Sequence, residues 1–253
     1  MQKIIGGIKM IKKIVKSIKL EYTGEMIKLP EDLNKKIQEF WNSAVKETPT
    51  LYNGEDYGVE DVKETENEII MKVAKTNYSH YLYDERVGIS NEKYRCITPW
   101  GGILLLTNDN YWVFGQASEE TSFPNGFQIS GGGIDEKDIN NMNIDLAKNL
   151  KRELKEEINL DLEKIDYKFQ YIEYPNQKRN AYGFIAIGNL NMSKDELQQH
   201  FEQYKQYLSQ NNLEIEFSNL IFLKKGNALQ ELDSYDNPKR VYLRELISVV
   251  DCE

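Results

Sequence analysis

The stretch Leu146-Ala147-Lys148-Asn149-Leu150-Lys151-Arg152-Glu153-Leu154-Lys155-Glu156-Glu157-Ile158-Asn159-Leu160 decides how the rest of the chain is read. Leu146, Leu150, Leu154 and Ile158 recur with a step of four, the spacing of one helical face. Glu153, Glu156 and Glu157 are related by i, i+3 and i+4, so a helix sets their carboxylates on a common face, able to converge on one point. Three crowded anions repel each other. A hard divalent cation with oxygen ligands, such as Mg²⁺, offsets that repulsion. Gly131-Gly132-Gly133 stand upstream of the helix.

A hairpin and a short strand lead into the glycines. Gly102 to Thr107 reads as a buried strand, Asn108-Asp109-Asn110 as the turn, and Tyr111 to Gln116 as the returning strand. A polar loop follows to Gly126, and Phe127 to Ser130 reads as a short strand. Beyond the helix, strands are expected at Asp166–Tyr174, Ala181–Leu190 and Leu213–Lys225. Ser193 and Glu196 have capping-box form and open a polar helix to about Ser209. Ala228–Leu232 and Arg240–Val250 read as helical, with Pro238 suited to a helix start.

The glycines, the helix and the hairpin order together resemble the Nudix family, whose signature is written G-x5-E-x7-R-E-U-x-E-E-x-G-U with U aliphatic. Over Gly132 to Leu160 the resemblance gives Gly132 and Gly133 the glycine end and a place beside substrate. It implies that Glu153, Glu156 and Glu157 ligate Mg²⁺, with Mn²⁺ as the substitute, and act in catalysis with Arg152. A guanidinium fork suits Arg152 to hold a glutamate in one rotamer. Leu154 and Leu160 take the aliphatic positions. The resemblance also implies an α/β/α sandwich around a mixed sheet.

The pattern departs from the family in three places. Asn159 stands where the family has glycine; Asn tolerates the left-handed φ a helix end needs there. Eighteen residues separate Gly133 from Arg152, five more than the family pattern, and the insertion is placed within Asp135 to Asn143. The isolated upstream glutamate is absent by spacing: counting from either side lands on Ile139 or Ile144. Asp135, Glu136 and Asp145 are the candidate substitutes, with Asp145 also suited to cap the helix.

The first half reads as an α/β extension, residues 1–95, packed on a catalytic domain at 96–253. Lys12 to Tyr22 is strand-like, and Thr23-Gly24 is a turn signal. Pro30-Glu31-Asp32 opens a helix whose buried stripe is Leu33, Ile37, Phe40, Trp41 and Ala44. Tyr57–Val62 and Glu68–Lys75 form a hairpin. Thr76 to Asp84 is a dense polar-aromatic run. Its tyrosines can either stack on a nucleobase or pack between sub-domains. His80 is read as structural. The leading segments are similar to larger Nudix proteins that act on UDP-sugars. That likeness implies a nucleotide side lined by Tyr78, Tyr81 and Tyr83, with Arg86 or Arg95 meeting phosphate. Glu173, Glu214 and Glu216 are the candidates for general base.

A net charge of −9 argues against a general nucleic-acid binder and leaves a small nucleotide as the expected partner. Cys96 and Cys252 form neither a disulfide framework nor a zinc spacing, which fits a reducing, cytoplasmic setting. Met1 to Leu20 alternates Ile and Lys without an apolar core or a cleavage site. It reads as a strand or short helix with solvated lysines, not a signal peptide or stable membrane anchor. The expected activity is hydrolysis of a nucleoside diphosphate linked to another moiety, water attacking a diphosphate phosphorus. The competing reading is a domain of the same fold that binds a nucleotide metabolite without turnover. An RNA-end hydrolase is disfavoured by the acidic balance.

Overall fold

The structure, a computed structural model, describes residues 10–14, 16–49, 51–176 and 179–251. The part of the Ile/Lys stretch before Met10, and Cys252, lie outside them. In chain order, β1 (Ile11–Lys13), β2 (Ser17–Met26), α1 (Glu31–Glu47), β3 (Glu55–Glu64), β4 (Glu68–Asn77) and α2 (Tyr78–Arg86) make up the first part. Then follow β5 (Thr98–Leu106), β6 (Tyr111–Ala117), β7 (Phe127–Gln128), β8 (Ser130–Gly133), β9 (Ile139–Asn140), β10 (Asn143–Ile144) and α3 (Leu146–Ile158). The chain continues with β11 (Asp166–Glu173), β12 (Ala181–Asn189), α4 (Lys194–Gln210), β13 (Phe217–Lys224), α5 (Ala228–Asp233) and α6 (Leu243–Val250).

The fold is α/β with two mixed sheets. The larger has the order β1-β11-β12-β5-β6-β13, with β8 on β5 and β7 on β6; the smaller runs β3-β4-β2-β10-β9. Side chains alternate across a strand, so β5 feeds two cores at once. Ile103 and Leu105 pack with Leu150, Leu154, Ile158 and Phe201 from α3 and α4. Leu104 points the other way, toward Leu243, Leu246 and Ile247 of α6. Helices therefore cover both faces of the large sheet, as the α/β/α expectation holds. A third core, with Leu20, Met71, Val73, Phe184 and Ile172, joins the two sheets.

The two sheets exchange strands across residue 95. β1 pairs antiparallel with β11, with Ile11 opposite Glu173, although it comes from the first part of the chain. In return β10 pairs with β2. The five-residue insertion is thus a β9–β10 hairpin, turning through Asn141 and Met142, both at positive φ. A two-residue turn of that conformation matches strand twist.

Several local expectations hold. Asp145 caps α3 by accepting from Ala147 N and Lys148 N. Asn159 takes φ 55° at its end. Ser193 and Glu196 form the reciprocal capping box of α4. Of the α1 stripe, Ile37, Trp41 and Ala44 are buried, and Trp41 and Ala44 pack with Leu82 of α2. His80 is held by Thr76 Oγ1 at 2.8 Å and Tyr94 O at 2.9 Å, as a structural residue should be.

Others differ. Thr23-Gly24 lies inside β2, where Gly24 at φ 75° interrupts the register as a bulge. The glycine row, for which no element is expected from the sequence, lies in strand β8. Phe217, not Leu213, opens β13, because Leu213 N is spent on Leu208 O at the end of α4. Pro238 does not start a helix: its carbonyl accepts from Phe127 N, and Arg240 N donates to Phe127 O. Residues 238–240 therefore run beside β7, and α6 begins only at Leu243. Among the described residues no helix is long and apolar enough to cross a membrane.

Candidate active site

β8 is the spine of the site. It lies antiparallel on β5, with Gly131 opposite Gly102, Gly132 opposite Gly101 and Gly133 opposite Trp100. Gly131 has φ 143°, and a Cβ there would meet Gly101 O at 2.2 Å. Gly132 yields space to another side chain: an added Cβ would sit 2.5 Å from Glu153 Oε1. The glycines let α3 lie close enough for its acids to reach the strand.

On that side Glu157 is buried, accepting from the Ser130 hydroxyl and from Gly131 N at 2.9 Å. Glu153 is also buried, with Oε1 at 2.7 Å from Arg152 Nη1. Glu156 is half-exposed and meets the same Nη1 at 3.2 Å. Burial pushes the Glu153 carboxyl up to about 7 against the pull of Arg152. Burial, with Glu153 as a second cause, pushes Glu157 well up too. Arg152 loses by burial, yet hydrogen bonds to Asp138 and the charges of Glu153 and Glu156 raise its pKa.

Arg152 occupies a central position. It joins Glu153 and Glu156 on one side, and on the other reaches Gly133 O and Asp138 Oδ2, both at 3.0 Å. Among the described residues no three carboxylate, imidazole or thiol groups are already spaced to hold a metal ion, and the Arg152 guanidinium touches two of the glutamates.

Upstream of α3, the carboxylate that reaches Arg152 is Asp138. It is 1% exposed and accepts from Asp135 N, Asn149 Nδ2 and Arg152. None of the three candidates read from the sequence does this. Asp135 and Asp138 form a reciprocal capping box, and Asp145 is spent on α3. That capping box, with Asp at i and i+3 just after the glycines, was the available signal.

Glu216, immediately before β13, belongs to the acidic group. Burial raises its pKa, and Glu214 and Glu156 add to the rise while Arg152 opposes it. Glu216 in turn raises Glu153 and Glu157. Glu173 does not join them. It accepts from Trp100 Nε1 at 2.9 Å and faces Arg179 Nε at 3.6 Å, on the other side of the glycine strand.

That other side is a cleft of about 260 Å³ with the three glycines at one wall. Tyr78 and Tyr81 line it, bringing two of the sequence-predicted residues beside Gly132 and Gly133. Trp100, Tyr242, Arg179 and Arg240 also line it, with Asp56 among the others. Tyr83 instead packs edge-on against Phe40. Arg86, at the end of α2, does not line the cleft, and Arg95 is tied to Asn180 and Asp84. The cleft arginines carry no local sequence signal: Arg179 sits in a polar loop and Arg240 in a segment read as helix.

Neither the protein-family models nor the curated proteins gave a match to this chain. Solved structures did. A NUDIX hydrolase from Alicyclobacillus acidocaldarius aligns with a TM-score of 0.45 at 10% identity, covering 62% of this chain and 92% of that one. The MutT protein from Methanosarcina mazei Go1 aligns at 0.40 and 11%, covering 61% and 93%. NrtR from Shewanella oneidensis, solved with a 27mer DNA, aligns at 0.38 and 13%, covering 59% and 58%. At such scores the reading of the site rests on the chain's own residues.

Proposed function

We propose that the chain is a Nudix-type hydrolase that cleaves a nucleoside diphosphate linked to another moiety, with Mg²⁺ or Mn²⁺ held by Glu153, Glu156 and Glu157. The observation that carries this reading is the packing of β8 against α3. It buries two glutamates side by side, beside a half-exposed third, on one side of a strand whose glycines wall a cleft on the other. The donor chemistry suits a hard cation. Glu153 raises the cost of ionising Glu157, and among the described residues Glu157 has two neutral donors to offset its burial. A divalent ion bound there supplies charge to offset the diphosphate and acidify a water.

The remaining roles fall to the chain. Arg152, fixed by Asp138 and Gly133 O, orients Glu153 and Glu156. We assign the proton of the attacking water to Glu216, the one of the three base candidates whose charge acts on both Glu153 and Glu157. The rings of Tyr78 and Tyr81, 5.9 Å apart and tilted by 34°, offer a surface for the nucleoside. A UDP-sugar is the first substrate to try.

A panel of nucleoside diphosphate conjugates with Mg²⁺ or Mn²⁺ tests the reading. Release of a nucleoside monophosphate from any member supports it, and loss of that release in Glu156→Gln with an unchanged circular dichroism spectrum ties it to the cradle. One observation favours a second reading, a binder without turnover: Arg152 already bridges Glu153 and Glu156. Nucleotide binding with no turnover of any panel member would establish it in place of the first.

A further inference from the structure

Arg179 and Arg240 converge on the cleft in a chain whose net charge is −9. Their surroundings differ in kind. The Arg179 guanidinium lies over the rings of Trp100 and Tyr242, 4.8 and 4.9 Å from their centroids, and its Nε faces Glu173. It is held flat and partly neutralised. Arg240 lies 4.2 Å from the Phe123 centroid. Its one side-chain hydrogen bond among the described residues runs from Nε to Gln128 Oε1 at 3.3 Å, and no carboxylate there comes within ion-pair distance. Both its burial and the charge of Arg179 lower its pKa. The acids whose charge acts on Arg240 are Glu85, which already accepts from the Tyr81 hydroxyl at 2.9 Å, and Glu173, which already faces Arg179; Asp56 also lines the cleft wall.

A half-buried guanidinium with a like charge beside it and a neutral amide as partner is costly unless something anionic enters. Two forks of donors on one cleft suit an oxyanion with several acceptor oxygens, and adjacent tyrosine faces suit a flat heterocycle. Arg152 cannot serve this ligand, since its donors are taken by Asp138, Gly133 O, Glu153 and Glu156.

We propose that Arg179 and Arg240 form an anion subsite that holds a phosphate group of a nucleotide, independently of the glutamate cradle and without a metal ion. The subsite deepens the hydrolase reading, resting on it only for what lies at the other end of the substrate. Binding at the subsite is measurable whether or not turnover occurs.

The experiment is calorimetric titration in EDTA with UMP and AMP against uridine and adenosine. The expected result is that at least one monophosphate binds about ten-fold or more tightly than its nucleoside. Arg240→Gln brings that ratio to about one, Arg240→Lys, which keeps charge but not the fork, retains part of it, and Glu156→Gln leaves it unchanged. Thermal melts confirm that the variants fold; should Arg240→Gln not, Arg179→Gln takes its place. A wild type without phosphate preference, a preference that survives the arginine variants, or one that Glu156→Gln abolishes would each overturn the subsite. Inorganic phosphate competing as well as the monophosphate would overturn the nucleotide as its ligand. Failure of the hydrolase reading would show instead as absent turnover with Mg²⁺, leaving these binding ratios untouched.

Discussion

The two sides of the glycine strand β8 are opposite in charge and in origin. The acidic side comes almost entirely from one helix: Glu153, Glu156, Glu157 and their brace Arg152 lie within six residues of each other. The basic, aromatic side is assembled from α2, β5, the β11–β12 loop and the segment before α6. A helix face can be read from periodicity, because residue spacing alone dictates which side chains are neighbours. A cleft assembled from four distant segments cannot. Only the strand order of the large sheet brings Trp100, Arg179 and Arg240 together.

The contrast can be broken first on the acidic side. Glu156→Gln is expected to lower turnover on the order of 10²–10³-fold, read as the rate of nucleoside monophosphate release, while metal-free nucleotide binding persists. Asp138→Ala removes the buried partner of Arg152 and leaves Asn149 Nδ2 with one acceptor fewer. It should cost about 3 kcal/mol of stability by urea unfolding, whereas Asp135→Ala should cost much less. Gly132→Ala pushes a methyl group against Glu153 Oε1. It should cost about 1–3 kcal/mol and reduce activity beyond what the stability loss explains, by displacing Glu153. An equal loss of turnover from Gly133→Ala, where a Cβ meets open space, would argue that the strand backbone and not Glu153 is what Gly132 protects.

The smallest effect lies on the basic side. Burial raises the Asp56 carboxyl to about 6, while the hydrogen bond from Tyr57 N pulls the other way. A carboxyl whose folded pKa lies above its unfolded value binds more protons when folded. Its contribution to stability therefore falls as pH rises from about 4 to 6 and stays low above that. Asp56→Asn keeps an acceptor for Tyr57 N and removes the charge. It should stabilise the protein by about 1–2 kcal/mol at pH 7.5 and by little at pH 4, measured as thermal midpoints.

The elements whose signals are local are legible in the sequence. The β5–β6 hairpin, α3 with its caps and the capping box of α4 stand where patterning placed them. What escaped it is long-range or competitive. The glycine run lacks side-chain alternation, so strand β8 is visible only through its pairing with β5. Tyr78 to Arg86 is helical although its apolar residues show little periodicity, and α1 packs over it with Trp41 and Phe40. Asp138 escapes the signature spacing because it falls one residue short of it counted from Gly133, while the β9–β10 hairpin shifts the count from Arg152. Tyr78 and Tyr81 do reach the cleft, but the arginines that accompany them are Arg179 and Arg240 instead of Arg86 and Arg95.

That hairpin has a consequence for anyone who would cut the molecule in two. A break at residue 95 strips β1 from β11 on one fragment and β9–β10 from β2 on the other. Each fragment would then carry a row of unpaired backbone donors and acceptors along an open strand, the condition under which chains add to one another. The two pieces should stay insoluble apart and recover solubility when refolded together, as halves of a clasp.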